Sequence, residues 1–99
     1  MKVELSDQVV AFVRRQAPEP RQRLRRALRR LEAEQGDIHA LEGRLANYHR
    51  LRVGAYRILF TYVAAPGARP PSIRCIFAER RDIVYAVFSE VLKRQLLGE

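Results

Sequence analysis

Apolar and polar positions alternate most clearly over residues 48–63, the longest strand-favouring run of the chain. It is rich in Tyr, Val, Ile, Phe and Thr, side chains that fit a pleated and half-buried surface. Gly54 and Ala55 interrupt the run after six residues, which predicts two antiparallel strands around a tight reversal. In the first strand, Tyr48, Arg50 and Arg52 share one face and His49, Leu51 and Val53 the other. In the second, Arg57 shares a face with Leu59, Thr61 and Val63, while Tyr56, Ile58, Phe60 and Tyr62 share the opposite one. Arginines alternating with apolar residues predict a sheet with one wet, cationic surface, and function is expected there.

The remaining elements follow from the same patterning. Residues 1–5 alternate and read as a short strand. Ser6 is a suitable N-cap, with Asp7 in the first turn of a helix whose apolar stripe is Val9, Val10, Phe12 and Val13. Pro18 and Pro20 break that helix, and Pro20 suits the start of the next, expected over about residues 20–34. There Leu24, Ala27, Leu28 and Leu31 form one buried stripe, and Gly36 is the expected left-handed residue past its end. Residues 37–47 read as a connector in which Leu41 and Leu45 bracket Gly43 and tuck against the core. A hairpin-like loop rich in Pro and Gly is expected over 64–71, then a last strand over 72–79 with Ile73, Cys75 and Phe77 on one face. Asp82 is placed to cap a final helix carrying Val84, Val87, Phe88, Val91 and Leu92, with Lys93 and Arg94 in its last turn and Gly98 beyond. The order β-α-α-β-β-β-α predicts an α+β domain: an antiparallel sheet of about four strands, two N-terminal helices and a C-terminal helix, the helices on one face.

Composition narrows the functional classes. The 99 residues make one domain, 1–99, with a single core. Nineteen bases, seventeen of them Arg, against eleven acids give a net charge of +8, and the pI is about 10.8. Such a surface favours a polyanionic partner: RNA, DNA or an acidic protein. Arg21, Arg23, Arg25, Arg26, Arg29 and Arg30 cover most of the second helix outside its apolar stripe, as a solvated face or a phosphate-tracking one. The lone Cys75 lies in an apolar run and reads as a buried, inert thiol; a disulfide framework is excluded. His39 and His49 lack partners at ligand spacing, so no metal site and no cofactor is expected. The apolar runs are far short of a membrane span, and a cytoplasmic location is expected.

What remains for chemistry is Arg50, Arg52 and Arg57 on adjacent strands, with Arg80, Arg81 and Tyr85 where the last strand meets the helix. Taken alone, Arg50 and Arg52 also read as solvated strand arginines, and Tyr85 as a residue at the edge of the core. The run Leu41-Glu42-Gly43 followed by residues 48–60 resembles the core signature of the RelE/ParE toxin superfamily, and residues 79–85 resemble the segment that closes its fold. The resemblance spans essentially the whole chain. It implies a bacterial toxin of a type II toxin–antitoxin pair, neutralised by a cognate acidic antitoxin. The RelE-like branch cleaves messenger RNA in the ribosomal A site, whereas the ParE-like branch poisons DNA gyrase without enzymatic activity.

Under the RelE-like reading, Arg50, Arg52 and Arg57 match the basic residues that hold the scissile phosphate, and Tyr85 matches a tyrosine that stacks on a base. Where some members carry a further arginine this chain has Glu79, with Arg80 or Arg81 as the available substitutes. Attack by a 2′-hydroxyl requires stabilisation of charge on phosphorus, which guanidinium forks supply. Arginine remains protonated and is a poor general base, so His49, Glu79 and Tyr85 are the candidates to move protons. The leading reading is a metal-independent, ribosome-dependent mRNA endoribonuclease. A gyrase-inhibiting toxin is the alternative, and a basic binding module or inactive relic the third.

Overall fold

The computed structural model describes residues 1–64, 66–67 and 70–98. The elements are β1 (Val3–Leu5), α1 (Asp7–Arg15), α2 (Pro18–Leu31), β2 (Asp37–Ala40), a 3-10 turn (Gly43–Leu45), β3 (His49–Val53), β4 (Tyr56–Val63), β5 (Ser72–Arg80) and α3 (Val84–Leu96). They form the expected α+β domain around one five-stranded sheet in the order β1-β5-β4-β3-β2. Every pairing is antiparallel except that of β1 with β5. Three residues of the loop expected over 64–71, Ala65, Ala68 and Arg69, lie outside the described residues. Among the described residues no helix is long and apolar enough to cross a membrane.

The helices do not share one face. Val9, Phe12 and Val13 of α1 and Leu24, Leu28 and Leu31 of α2 pack on Leu51, Val53, Ile58, Phe60, Ile73, Cys75 and Ala78. On the opposite face, Val84 and Phe88 of α3 close over Leu59 and Phe77, with Leu41, Leu45 and Tyr48 at the margin. Leu41 and Leu45 thus tuck against the core as expected. The two-sided arrangement follows from β4, where Ile58, Leu59 and Phe60 are each fully buried. A strand apolar on consecutive residues needs cover on both faces.

The fifth strand, β2, lies in the segment read as a connector. Only Ile38 is apolar and half-buried there, so period-two patterning is nearly silent. The strand forms because β3 offers an open edge, and it pairs Asp37 with Arg52 and His39 with Arg50. Opposite charges across such a pair are favourable.

A register shift between Leu59 and Phe60 places one extra residue, Ile76, in β5. The bulge reverses the alternation. Ile73 and Cys75 face α1 and α2, whereas Phe77 faces α3 and Ala78 takes the α1 side. The expectation that Ile73, Cys75 and Phe77 share a face is therefore corrected. Beyond the end of β1, the free edge of β5 is satisfied by α1. Ser6 N donates to Cys75 O (2.9 Å) and Ser6 Oγ to Ile76 O (2.9 Å). Gln8 Nε2 donates to Ala78 O (2.7 Å) and its Oε1 accepts from Ala78 N (2.8 Å). Ser6 is also the expected N-cap, accepting from Val9 N at 3.2 Å.

Three local expectations change. The second helix begins at Pro18, so both prolines sit in its first turn, where the missing N–H groups carry no penalty. It ends at Leu31, and the left-handed residue past its end is Glu34 (φ 53°), not Gly36. There Glu34 N donates to Leu31 O and Gln35 N to Arg30 O, the paired bonds of a Schellman ending. Asp82 does not cap α3, whose N-cap is Ile83 without a side-chain bond; its carboxylate pairs with Arg80 at 3.8 Å.

Gly36 is instead required by space. It has φ 135°, and a Cβ there would stand 2.8 Å from Leu51 Cδ1. Gly36→Ala is expected to lower stability by about 1–3 kcal/mol, read as a lower urea midpoint at unchanged slope. Burial pushes the Cys75 thiol from its ordinary 9.0 up to about 12. The native state then keeps a proton that the unfolded chain releases, so stability falls as pH rises through 9 towards 12. Tyr62, pushed up by desolvation and then by Glu34, acts in the same direction. Denaturant melts across that range check the slope, and a thiol that alkylates at neutral pH in the native state contradicts it.

Candidate nucleic-acid interface

The α3 face of the sheet is divided by rows running across the strands. One row reads Asp37, Arg52, Arg57, Glu79 and the next His39, Arg50, Leu59, Phe77. Helix α3 covers Leu59 and Phe77 but leaves the His39–Arg50 half of the second row uncovered, and in the first row Asp37 and Arg52 are exposed. Arg50, Arg52 and Arg57 therefore lie on one face, as the alternation predicts, and Arg52 and Arg57 are direct cross-strand partners.

Arg57 is the centre of this surface. It is 9% exposed, and its Nη1 donates to Gly54 O and Tyr56 O, both at 2.9 Å. Gly54 alone of the two turn residues has positive φ (58°), the sign pattern of a type II′ reversal. That turn carries the carbonyl that holds the guanidinium. Arg81 N donates to Ala55 O at 2.8 Å, which ties the approach to α3 to the same turn. The Arg57 pKa is lowered, first by desolvation and then by Arg50 and Arg52, with a smaller push from Arg81; Tyr85 opposes these. Among the described residues none of Arg50, Arg52, Arg57 and Arg81 is in an ion pair. A buried cation without a counter-charge is destabilising, and like charges on facing residues add to that.

Tyr85 stands in the first turn of α3, half-buried against the Leu59–Phe77–Phe88 cluster. It is thus both an edge residue of the core and a neighbour of Arg57. His49 is on the other face, stacked on Phe60 at 5.4 Å and edge-on to Tyr62 at 5.1 Å, and it is removed from the candidates to move a proton. Glu79 lies opposite Arg57 in the ladder, but its Oε1 accepts from Arg80 N at 3.0 Å. Arg80 is directed away, to Asp82, which leaves Arg81 as the arginine beside the cluster. Sequence reasoning missed Asp37 and His39 on this face, because the strand that carries them has almost no apolar signature.

A groove of about 420 Å³ adjoins the cluster at the start of β2, with Arg52 on one wall and Arg23, Arg26 and Arg30 of α2 on the other. Part of the α2 arginine face thus continues the cationic surface. No metal-ligating group of three acidic, His or Cys residues exists among the described residues.

No protein-family model matches the chain, and no curated protein matches it. Solved structures do. A YoeB/ParE toxin from Agrobacterium tumefaciens aligns with TM-score 0.62 at 16% identity, over 82% of this chain and 99% of that one. A chain of the archaeal RelE–RelB complex from Pyrococcus horikoshii aligns with TM-score 0.60 at 23% identity, over 81% and 93%. The RelB–RelE antitoxin–toxin complex from Methanococcus jannaschii gives 0.58 at 20% identity, over 86% and 98%. The chain has the RelE/ParE toxin fold.

Arg57→Met exchanges the enclosed cation for an apolar chain of similar reach, and water reaches the carbonyls released at the exposed turn. The variant is expected to be more stable than the parent by about 1 kcal/mol. Equilibrium denaturation checks the sign; a clear loss of stability shows that the charge is compensated within the fold.

Proposed function

We propose that this protein is a toxin of the RelE/ParE superfamily that acts as a ribosome-dependent mRNA endoribonuclease and is neutralised by an acidic antitoxin. The observation that carries this reading is Arg57: buried, without an ion pair among the described residues, and under the charges of Arg50, Arg52 and Arg81 with Tyr85 nearby. Proteins rarely keep a buried cation facing like charges unless an anion is to occupy the space between them. A scissile phosphate fits that position. As the 2′-oxygen attacks phosphorus, charge grows on the non-bridging oxygens, and guanidinium groups already fixed in place stabilise it without reorganisation. Arg57 is the fixed donor, held by the turn carbonyls. Arg50 and Arg52 grip from the neighbouring strand, Arg81 closes from the side, and Tyr85 offers a ring for a flanking base. Arg23, Arg26 and Arg30 extend the phosphate-binding surface past Arg52.

The same surface fits an acidic antitoxin, whose carboxylates meet the guanidinium forks as phosphates do. Two structural neighbours, one a RelE–RelB complex and the other a RelB–RelE antitoxin–toxin complex, support a partner of this kind.

A gyrase-inhibiting reading has one observation in its favour: His49 is stacked on the face opposite the cluster, and one Glu79 oxygen is already bonded to Arg80 N. Under it the arginines are a protein-binding surface. Primer extension on a reporter messenger, in a purified translation system with and without ribosomes, separates the two. The expected result is ribosome-dependent cuts that fall by at least about a hundredfold in Arg57→Ala. Uncut messenger with undiminished translation, together with inhibited supercoiling, transfers the assignment to gyrase.

A further inference from the structure

The arginine cluster stabilises charge on phosphorus; of the groups that could take the proton of the attacking hydroxyl, His49 is on the other face, one Glu79 oxygen is bonded to Arg80 N, and the Tyr85 ring is given to a flanking base. We infer that His39, oriented by Asp37, is the general base of this site. The inference rests on the ribonuclease reading and supplies the catalytic group that reading lacks.

Both residues are on β2, two apart, and so project from the same face. The register fixes which face. Asp37 opposes Arg52, and His39 opposes Arg50, so both stand on the side that carries Arg57. Adjacent strands lie about 4.8 Å apart, which sets His39 one strand from Arg50 and two from β4. A phosphate gripped by Arg50 and Arg57 then has an imidazole at its flank. His39 Nε2 lies 3.0 Å from Asp37 Oδ1. With that nitrogen donating to the carboxylate, Nδ1 is the acceptor, and the carboxylate stabilises the imidazolium that forms. The imidazole is 61% exposed and so is open to a substrate. The charged groups around it are Asp37 on its own strand, Arg50 and Arg52 on β3, and Arg57 behind them on β4.

The step balances without a further reagent. His39 Nδ1 takes the proton of the 2′-hydroxyl. The 2′-oxygen bonds to phosphorus as the P–O5′ bond breaks, which leaves a 2′,3′-cyclic phosphate. The departing 5′-oxygen takes a proton from water, and the imidazolium returns its own to solvent.

The test is the single-turnover rate of messenger cleavage on ribosomes as a function of pH, for the wild type, His39→Gln and Asp37→Asn, with thermal melts to confirm folding. The wild-type rate should rise about tenfold per pH unit on the acid limb of the profile and then level. His39→Gln should lose about a hundredfold or more and flatten the profile, with substrate affinity unchanged. Asp37→Asn should lose about tenfold and retain the slope. Added imidazole should restore part of the rate to His39→Ala. A His39→Gln enzyme that cleaves at the wild-type rate with the wild-type slope overturns the assignment while the ribonuclease reading stands. A wild type that cuts at no pH overturns both. NMR of the His39 imidazole with a 2′-O-methyl oligonucleotide reads the contact apart from turnover, and unmoved resonances also count against it.

Discussion

Arg57 is 9% exposed and has no carboxylate partner among the described residues, and the end of the sheet is arranged around that fact. Its bonds go to carbonyls of the reversal that joins β3 to β4, so the tightness of that reversal decides where the charge lies. Gly54 permits the turn, and Arg81 N on Ala55 O fastens the last segment of the fold to it. The neighbouring Arg57 and the distant segment at Arg81 thus meet at one two-residue turn. A cation held by dipoles rather than by a counter-ion keeps its field directed outward, which is what an anion-binding site needs and what a stable core avoids.

The bulge at Ile76 matters to this arrangement more than its single residue implies. Without it, Phe77 and Glu79 would continue the alternation of Ile73 and Cys75 and point towards α1 and α2. With it, Phe77 becomes the floor on which Phe88 of α3 rests, at 5.7 Å between rings, and Glu79 enters the row of Arg57. On its other edge β5 runs past the end of β1, and Ser6 and Gln8 at the start of α1 satisfy the backbone groups left open there, the carbonyl of Ile76 among them.

How much of this was legible in the sequence follows from where side-chain pattern and backbone demand coincide. The β3–β4 hairpin was readable because alternation, strand propensity and a Gly-led turn all agree over residues 48–63. The three arginines were placed on one face for the same reason. The edge strand β2 was not readable, since Asp37, His39 and Ala40 form it by joining an open edge rather than by burying apolar surface. Nor was the bulge, because Ile76 and Phe77 are both apolar and either parity of the strand looks acceptable. The placing of α3 on the second face was implicit in Ile58, Leu59 and Phe60, a consecutive apolar run that one covered face cannot bury. The burial of Arg57 depends on the turn carbonyls, which alternation does not report.

The division of the α3 face into rows constrains how such a site can change. Along the His39–Arg50–Leu59–Phe77 row, the apolar half lies under α3 and the polar half does not, and the boundary falls between β3 and β4. Shortening α3 would expose Leu59 and Phe77 beside the cations. The helix begins at Val84 with no side-chain cap, so its starting point is set by packing of Val84 and Phe88 and by the tie of Arg81 to Ala55. Tyr85 falls at that boundary, with one side against the core and the other towards Arg57. Its ring thus stands between an apolar floor and a cationic wall, a setting that suits a planar side chain with one apolar body and one polar tip.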